Sequence, residues 1–205
     1  MISAIARTTA GLAAYLALAG CAGPAVRDGW VTLIEGAAGL ENWTRVGDAN
    51  WRAEDDAIVA DRGTIGFLVS RGSWRDFEVR AEFRAEADTN SGVFLRVADP
   101  ARITPDNTYE VNIWDLRPDP KYGTGAIVDV AAVPVPNPHR AGGRWNVLEI
   151  SARGKRLTVR LNGVLTADVE DGRLAEGPIA LQYGPGVNAA RGGPIAWRKV
   201  HVRPL

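Results

Sequence analysis

The sequence predicts an all-β fold, an antiparallel β-sandwich, on three observations. Short segments of alternating apolar and polar residues recur along the chain. Glycine (23) and proline (12) fall mostly between those segments, where turns are needed. No stretch sustains the 3.6-residue period of an amphipathic helix. Many short strands separated by turn signals fit two packed sheets better than layers of helices.

The N-terminal residues form a separate unit. Met1 to Ala19 carries one positive charge, Arg7, followed by the apolar run Thr8 to Ala19. This is the pattern of a secretory signal, too short and too weakly flanked for a membrane span. It ends in Leu18-Ala19-Gly20-Cys21, which resembles the bacterial lipobox, whose cysteine is lipidated and becomes the new N-terminus. Ala22, where an aspartate would signal retention, resembles the start of lipoproteins sorted to the outer membrane. The expected organisation is a signal peptide over 1–20, a tether over 21–29 and one domain over 30–205. Acyl chains on Cys21 would hold that domain on a membrane facing the periplasm. Cys21 is the single cysteine, so no disulfide supports the fold, which must rest on core burial.

Within the domain, Ile65 to Val69 is apolar throughout and suits a buried strand. Phe77 to Arg84 alternates strictly, with Phe77, Val79, Ala81 and Phe83 on one face and Glu78, Arg80, Glu82 and Arg84 on the other. Gly92 to Val97 and Tyr109 to Trp114 follow. Trp145 to Ala152 and Arg156 to Leu161 alternate again. Asn162-Gly163 is a turn pair that should close a hairpin onto Val164 to Val169. Pro178 to Tyr183 and Ile195 to Val202 complete the set. Ala53 to Ala60 and Gly172 to Glu176 read as turns or short helices. Long loops are expected over 98–107, 116–125, 133–143 and 184–193, three of them stiffened by prolines.

Twenty-four basic and twenty-four acidic residues give no net charge, which argues against a nucleic-acid partner. A hydrophobic share of 46% is ample for one core. His139 and His201 are isolated, with no metal-ligand spacing. Asp115 and Asp119 could hold calcium, but Arg117 sits between them and a solvated loop is the preferred reading. No phosphate loop, dinucleotide fingerprint or nucleophile elbow is present, and no metal or cofactor is expected.

The segments Asn90-Ser91-Gly92-Val93-Phe94-Leu95-Arg96 and Thr108-Tyr109-Glu110-Val111-Asn112-Ile113-Trp114-Asp115 carry the functional signal. In a strand, Glu110 and Asn112 point the same way, as do Phe94 and Arg96. If the two strands are neighbours, Arg96 should lie beside Glu110 and keep it ionised. A polar face of this kind, flanked by long loops, suits a sugar. Glu82 would extend the patch if its strand borders the same face. Gln182 should face the groove while Ile179 and Leu181 face the core. Trp114 shares the parity of Glu110, and Tyr122 and Tyr183 are loop aromatics that could stack on a sugar.

In serial order, Trp51, Asp76 to Arg84, Asn90 to Arg96, Tyr109-Glu110-Val111, Thr124-Gly125-Ala126, Trp145-Asn146, Asn162-Gly163, Gly177 to Gln182 and Trp197-Arg198 resemble the 3-keto-disaccharide hydrolase domain family. The resemblance spans nearly all of the chain from about Trp30. It implies a concanavalin A-like jelly roll and binding or cleavage of sugars, including glycosides oxidised at C3. Two departures stand out. Tyr183-Gly184 follows Gln182 where an acidic residue and a histidine are frequent, and Asn112 stands where glutamine is common.

A retaining glucanase needs two carboxyls about 5 to 5.5 Å apart. Asn112 cannot serve as an acid, and in a regular strand Asp115 points away from Glu110. A 3-keto sugar needs only one base and a group that stabilises an enolate. Glu110 is therefore the expected base, Arg96 with Asn112 the expected enolate or hydroxyl partners, and Lys121 or Tyr183 candidate acids. Glu82, Asn90, Asn112, Trp114, Asp115, Lys121, Gln182 and Tyr183 make up the expected substrate-binding set. Two alternatives remain open: a non-catalytic carbohydrate-binding domain and a structural lipoprotein whose sheet docks another protein.

Overall fold

The computed structural model describes residues 23–186 and 192–205. The proposed signal peptide and Cys21 lie outside the described residues. Among those described there are fourteen strands: β1 (Val26–Arg27), β2 (Trp30–Glu35), β3 (Trp43–Gly47), β4 (Arg52–Glu54), β5 (Ala57–Ala60), β6 (Gly66–Ser70), β7 (Phe77–Ala85), β8 (Ser91–Leu95), β9 (Tyr109–Ile113), β10 (Arg144–Arg153), β11 (Arg156–Leu161), β12 (Val164–Glu170), β13 (Ala180–Tyr183) and β14 (Ile195–Pro204). They form two antiparallel sheets, the sandwich that the alternation predicts. The larger has nine strands in the order β1-β2-β14-β7-β10-β11-β12, with the β4–β5 hairpin paired to β14. The smaller has five, in the order β3-β6-β13-β8-β9.

The core lies between the sheets because each strand turns its alternate apolar residues inward. Phe77, Val79, Ala81, Phe83 and Ala85 of β7 meet Val93 and Leu95 of β8, Tyr109, Val111 and Ile113 of β9, and Leu181 and Tyr183 of β13. At about 25 cal/mol for each Å² of apolar surface removed from water, this layer is the main stabilising contribution in a chain without disulfides. The turn at Asn162-Gly163 has positive φ at both residues (53° and 81°) and closes β11 onto β12, as the Asn-Gly pair predicts.

Residues 53–60 differ from expectation. They form the β4–β5 hairpin, not a helical turn, and Asp55 at φ 51° makes the reversal. The acidic run Glu54-Asp55-Asp56 hides the alternation. β5 is fixed by its pairing with β14, a long-range contact that local propensity does not report.

The smaller sheet carries a second, minor apolar cluster on its outer face. Phe67 and Val69 (β6), Phe94 (β8) and Ala180 (β13) join Val97, with Val46 and Ile103 packed against them. The outer face of this sheet is thus not an ordinary solvated surface.

Candidate active site

The register of the five-stranded sheet lines up two cross-strand rows on its outer face. Glu110 lies opposite Phe94, which lies opposite Ala180, then Val69 and Thr44. Asn112 lies opposite Gly92; on the other side of Gly92, β13 places Gln182, then Phe67 and Val46. Gly92 is required by close approach. A Cβ there would meet the Val111 carbonyl oxygen at 2.8 Å, and the Glu110 Cγ and Phe94 Cε2 at 3.4 Å. Without a side chain at 92, Glu110 and Phe94 lean over the glycine from the neighbouring row.

Glu110 is only 9% exposed. Among the described residues its carboxyl has no hydrogen-bond donor and no ion-pair partner. Burial pushes its pKa up from 4.5 to about 7; the Arg117 cation opposes that rise and Asp129 adds to it. An isolated carboxyl of this kind is poised to exchange a proton near neutral pH.

On the same outer face the side-chain oxygens of Asn112 (β9) and Gln182 (β13) have no partner among the described residues; the Trp51, Trp114 and Trp197 indole nitrogens also lack one. The Asn112 amide is oriented by its other end, since Nδ2 donates to the Tyr122 carbonyl at 2.6 Å. Buried polar atoms are normally satisfied, so the unpartnered Asn112 and Gln182 oxygens, on the face that carries Glu110, are candidates to meet a polar ligand. Arg117 stacks over the Trp114 ring with its guanidinium 5.9 Å from the ring centroid.

The loop carrying Trp114 and Arg117 folds back along β9. Gly125 N–H donates to Asn112 O at 2.9 Å, Asn112 N–H to Ala126 O at 3.0 Å and Val128 N–H to Glu110 O at 3.0 Å. Asp115 anchors this turn: its carboxylate accepts from Thr124 Oγ1 at 2.6 Å and from the Ala141 and Gly142 amides at 3.1 and 3.0 Å.

Several expected placements are corrected. Arg96 does not lie beside Glu110. β8 ends at Leu95, Arg96 takes φ 52°, and the strand parity is lost. Its fully buried guanidinium donates to the carbonyls of Arg75 (2.6 and 3.0 Å), Gly154 (2.8 Å) and Leu174 (3.0 Å), with Asp76 Oδ1 3.4 Å away. Glu110 is consequently raised in pKa, not held ionised by a guanidinium. Glu82 lies on β7 in the other sheet, paired with Arg198 at 2.9 Å and Lys199 at 3.4 Å. Burial opposes ionisation of Glu82, but the Arg198 hydrogen bond and the Lys199 charge outweigh it and lower its pKa. Tyr183 is buried in the inter-sheet core and not on a loop wall, so it supplies no acid to the outer face.

Asp115, in the turn past the end of β9, is held by its loop amides and Thr124 and offers no second carboxyl beside Glu110. Asn90 braces a neighbouring loop through Nδ2 to Pro185 O at 2.7 Å. Lys121 is exposed and paired with Asp119 at 3.4 Å. The sheet therefore sets Glu110, Asn112 and Gln182 from the expected set on one face, with Trp114 just past the end of β9. Arg117, Phe94 and Gly92 were missed as site components. The Asn-Ser-Gly run was visible in sequence; Arg117 reaches the face only through the fold-back of its loop.

Residues 29–203 match the family described as a 3-keto-alpha-glucoside-1,2-lyase-like domain. The chain belongs to that family. Solved structures of similar fold include a candidate glycosyl hydrolase from Parabacteroides distasonis, 21% identical, with a TM-score of 0.67, covering 86% of this chain and 99% of that one. The carbohydrate-binding module CBM66 from Bacillus subtilis is 18% identical with a TM-score of 0.56, covering 79% and 95%. A galectin-like protein of unknown function from Bacillus subtilis is 10% identical with a TM-score of 0.60, covering 80% and 90%. At these identities the likeness establishes a shared galectin-like jelly roll and nothing finer. No curated protein matches the sequence.

Proposed function

We propose that this family domain cleaves 3-keto-glycosides by elimination, with Glu110 as the single general base. The observation that carries the reading is the isolated, buried Glu110 carboxyl, with its pKa near 7, on the face that also holds the unpartnered Asn112 and Gln182 oxygens. Ionised Glu110 takes the proton from C2, which the C3 carbonyl acidifies. The electron pair moves onto the C3 oxygen as an enolate. Its return forms the C1–C2 double bond and breaks the bond from C1 to the leaving oxygen, which takes the proton back from Glu110. Addition of water across that double bond, with hydroxyl to C1 and hydrogen to C2, completes a net hydrolysis.

In this reading the Arg117 cation, which acts electrostatically on Glu110, stabilises the enolate in place of Arg96. A pKa near the working pH is the condition under which one carboxyl serves as base and then acid. In the cell the domain would work as a lipoprotein held through Cys21 on the outer membrane, facing the periplasm, with a carbohydrate as its partner.

A binding-only domain is the second reading. Its support is the residue after Gln182, where a core tyrosine stands and no proton-transfer group is offered. Incubation with a 3-keto-α-glucoside separates the two. Release of the aglycone, lost in Glu110→Gln, supports the enzyme; saturable binding with no product at any pH from 5 to 9 supports the binding domain.

A further inference from the structure

The loop that carries Arg117 is held to the end of β9 through one side chain. Asp115 Oδ1 accepts from Thr124 Oγ1 at 2.6 Å and its Oδ2 from the Gly142 amide at 3.0 Å, while the Ala141 amide lies 3.1 Å from both oxygens. Thr124 Oγ1 in turn accepts from the Trp114 amide at 3.0 Å, and Leu116 N–H donates to Ala87 O at 3.2 Å. One carboxylate thus joins the end of the strand that carries Glu110 to the return segment at 124 and to the loop over 133–143. Arg117 follows two residues later. Among the described residues its guanidinium has no hydrogen bond and no ion pair; it rests on the Trp114 ring, 5.9 Å from the centroid. Its place is set by the backbone that Asp115 fixes.

We propose that Asp115 is the positioning residue of this site, holding the Arg117 cation where it acts on Glu110. The proposal rests on the reading of Glu110 as the base. Two charged groups act on the Glu110 carboxyl: Arg117, which favours its ionised form, and Asp129, which opposes it. From β8 the facing residues are Gly92 and Phe94, neither of them titratable. The sign separates positioning from direct electrostatics. Removal of the Asp115 carboxylate takes away a negative charge, which by itself favours ionisation of Glu110. Displacement of Arg117 does the opposite. A rise in the Glu110 midpoint after Asp115 is replaced therefore reports the lost cation.

The test follows the Glu110 carboxyl directly, by NMR titration of its side-chain carbon, with Glu110→Gln marking the resonance. Initial rates on a 3-keto-α-glucoside are measured beside it. Both are run on the wild type, Asp115→Ala, Arg117→Met and the double variant. Asp115→Ala and Arg117→Met should each raise the midpoint from about 7 by roughly half a unit or more. The double variant should rise no further than Arg117→Met alone, since both changes act through one cation. Asp115→Asn keeps one acceptor oxygen and should shift the midpoint less; if Asp115→Ala does not fold, it decides in its place. A midpoint that is unchanged or falls in the Asp115 variants while the melting temperature drops makes Asp115 purely structural and overturns the proposal. Shifts that add in full in the double variant, or an unmoved midpoint in Arg117→Met, overturn it as well. The midpoint is read without turnover, so a wild type that releases no product removes the catalytic reading while the titration still decides the role of Asp115.

Discussion

Arg96 donates a 3.0 Å hydrogen bond from Nη1 to the carbonyl oxygen of Leu174, 78 residues along the chain. The same nitrogen reaches Gly154 O at 2.8 Å, and Nη2 reaches Arg75 O at 2.6 Å. One side chain thus ties the end of β8 to the loop before β7, the β10–β11 turn and the segment before β13. Three backbone carbonyls far apart in sequence accept from one fully buried guanidinium.

Loss of that guanidinium should cost stability rather than chemistry. Arg96→Met is expected to destabilise the fold by about 1.5–3 kcal/mol, because it removes the hydrogen bonds of a charged group to three backbone carbonyls. Denaturant unfolding measures this. Turnover of a 3-keto-glycoside by the still-folded fraction should remain close to that of the wild type; a large loss of turnover with unchanged stability would return Arg96 to the chemistry.

Activity should rise with pH through about 7, because the base must be ionised and burial holds Glu110 protonated below that point. Glu110→Gln should lower turnover by about a hundredfold or more and remove this limb of the profile. Initial rates between pH 5 and 9 decide it.

Glu110 should also leave a signature in stability. Its folded pKa, about 7, lies above the ordinary 4.5, so between those values the folded state holds a proton that the unfolded state has released. Stability is then greatest below pH 4.5 with respect to this group and is lost as pH rises to about 7. The loss is on the order of 3 kcal/mol. Glu110→Gln should flatten that slope in chemical unfolding at a series of pH values.

Gly92→Ala should damage both fold and site. The new methyl would lie 2.8 Å from the Val111 carbonyl oxygen, part of the backbone of β9, and against Glu110 and Phe94. Overpacking of this kind costs about 1–3 kcal/mol. Because Glu110 is displaced as well, the pH midpoint of activity should move. A shift in melting temperature with an unchanged midpoint would mean that Gly92 serves only the fold.

Much of this arrangement was legible in the residues. Phe77 to Arg84 gives its strand and both its faces by alternation alone, and Asn162-Gly163 gives its hairpin. Glu110, Asn112 and Gln182 follow from the same parity. The failures have physical causes. Parity predicts Arg96 only while β8 continues, and a positive φ directly after Leu95 turns the side chain elsewhere. Alternation shows that Glu82 is outward but not on which sheet, since pairing is set by long-range packing. Arg117 approaches Glu110 because backbone bonds fold its loop back along β9, and no local pattern encodes that.

That fold-back has a further consequence for solubility. β9 is the last strand of its sheet, and an open edge invites a second chain to add on and start an aggregate. Here residues 125–128 already occupy the edge with backbone hydrogen bonds to residues 110 and 112. The strand that carries Glu110 is shielded from templated growth by the same segment that shapes its surroundings.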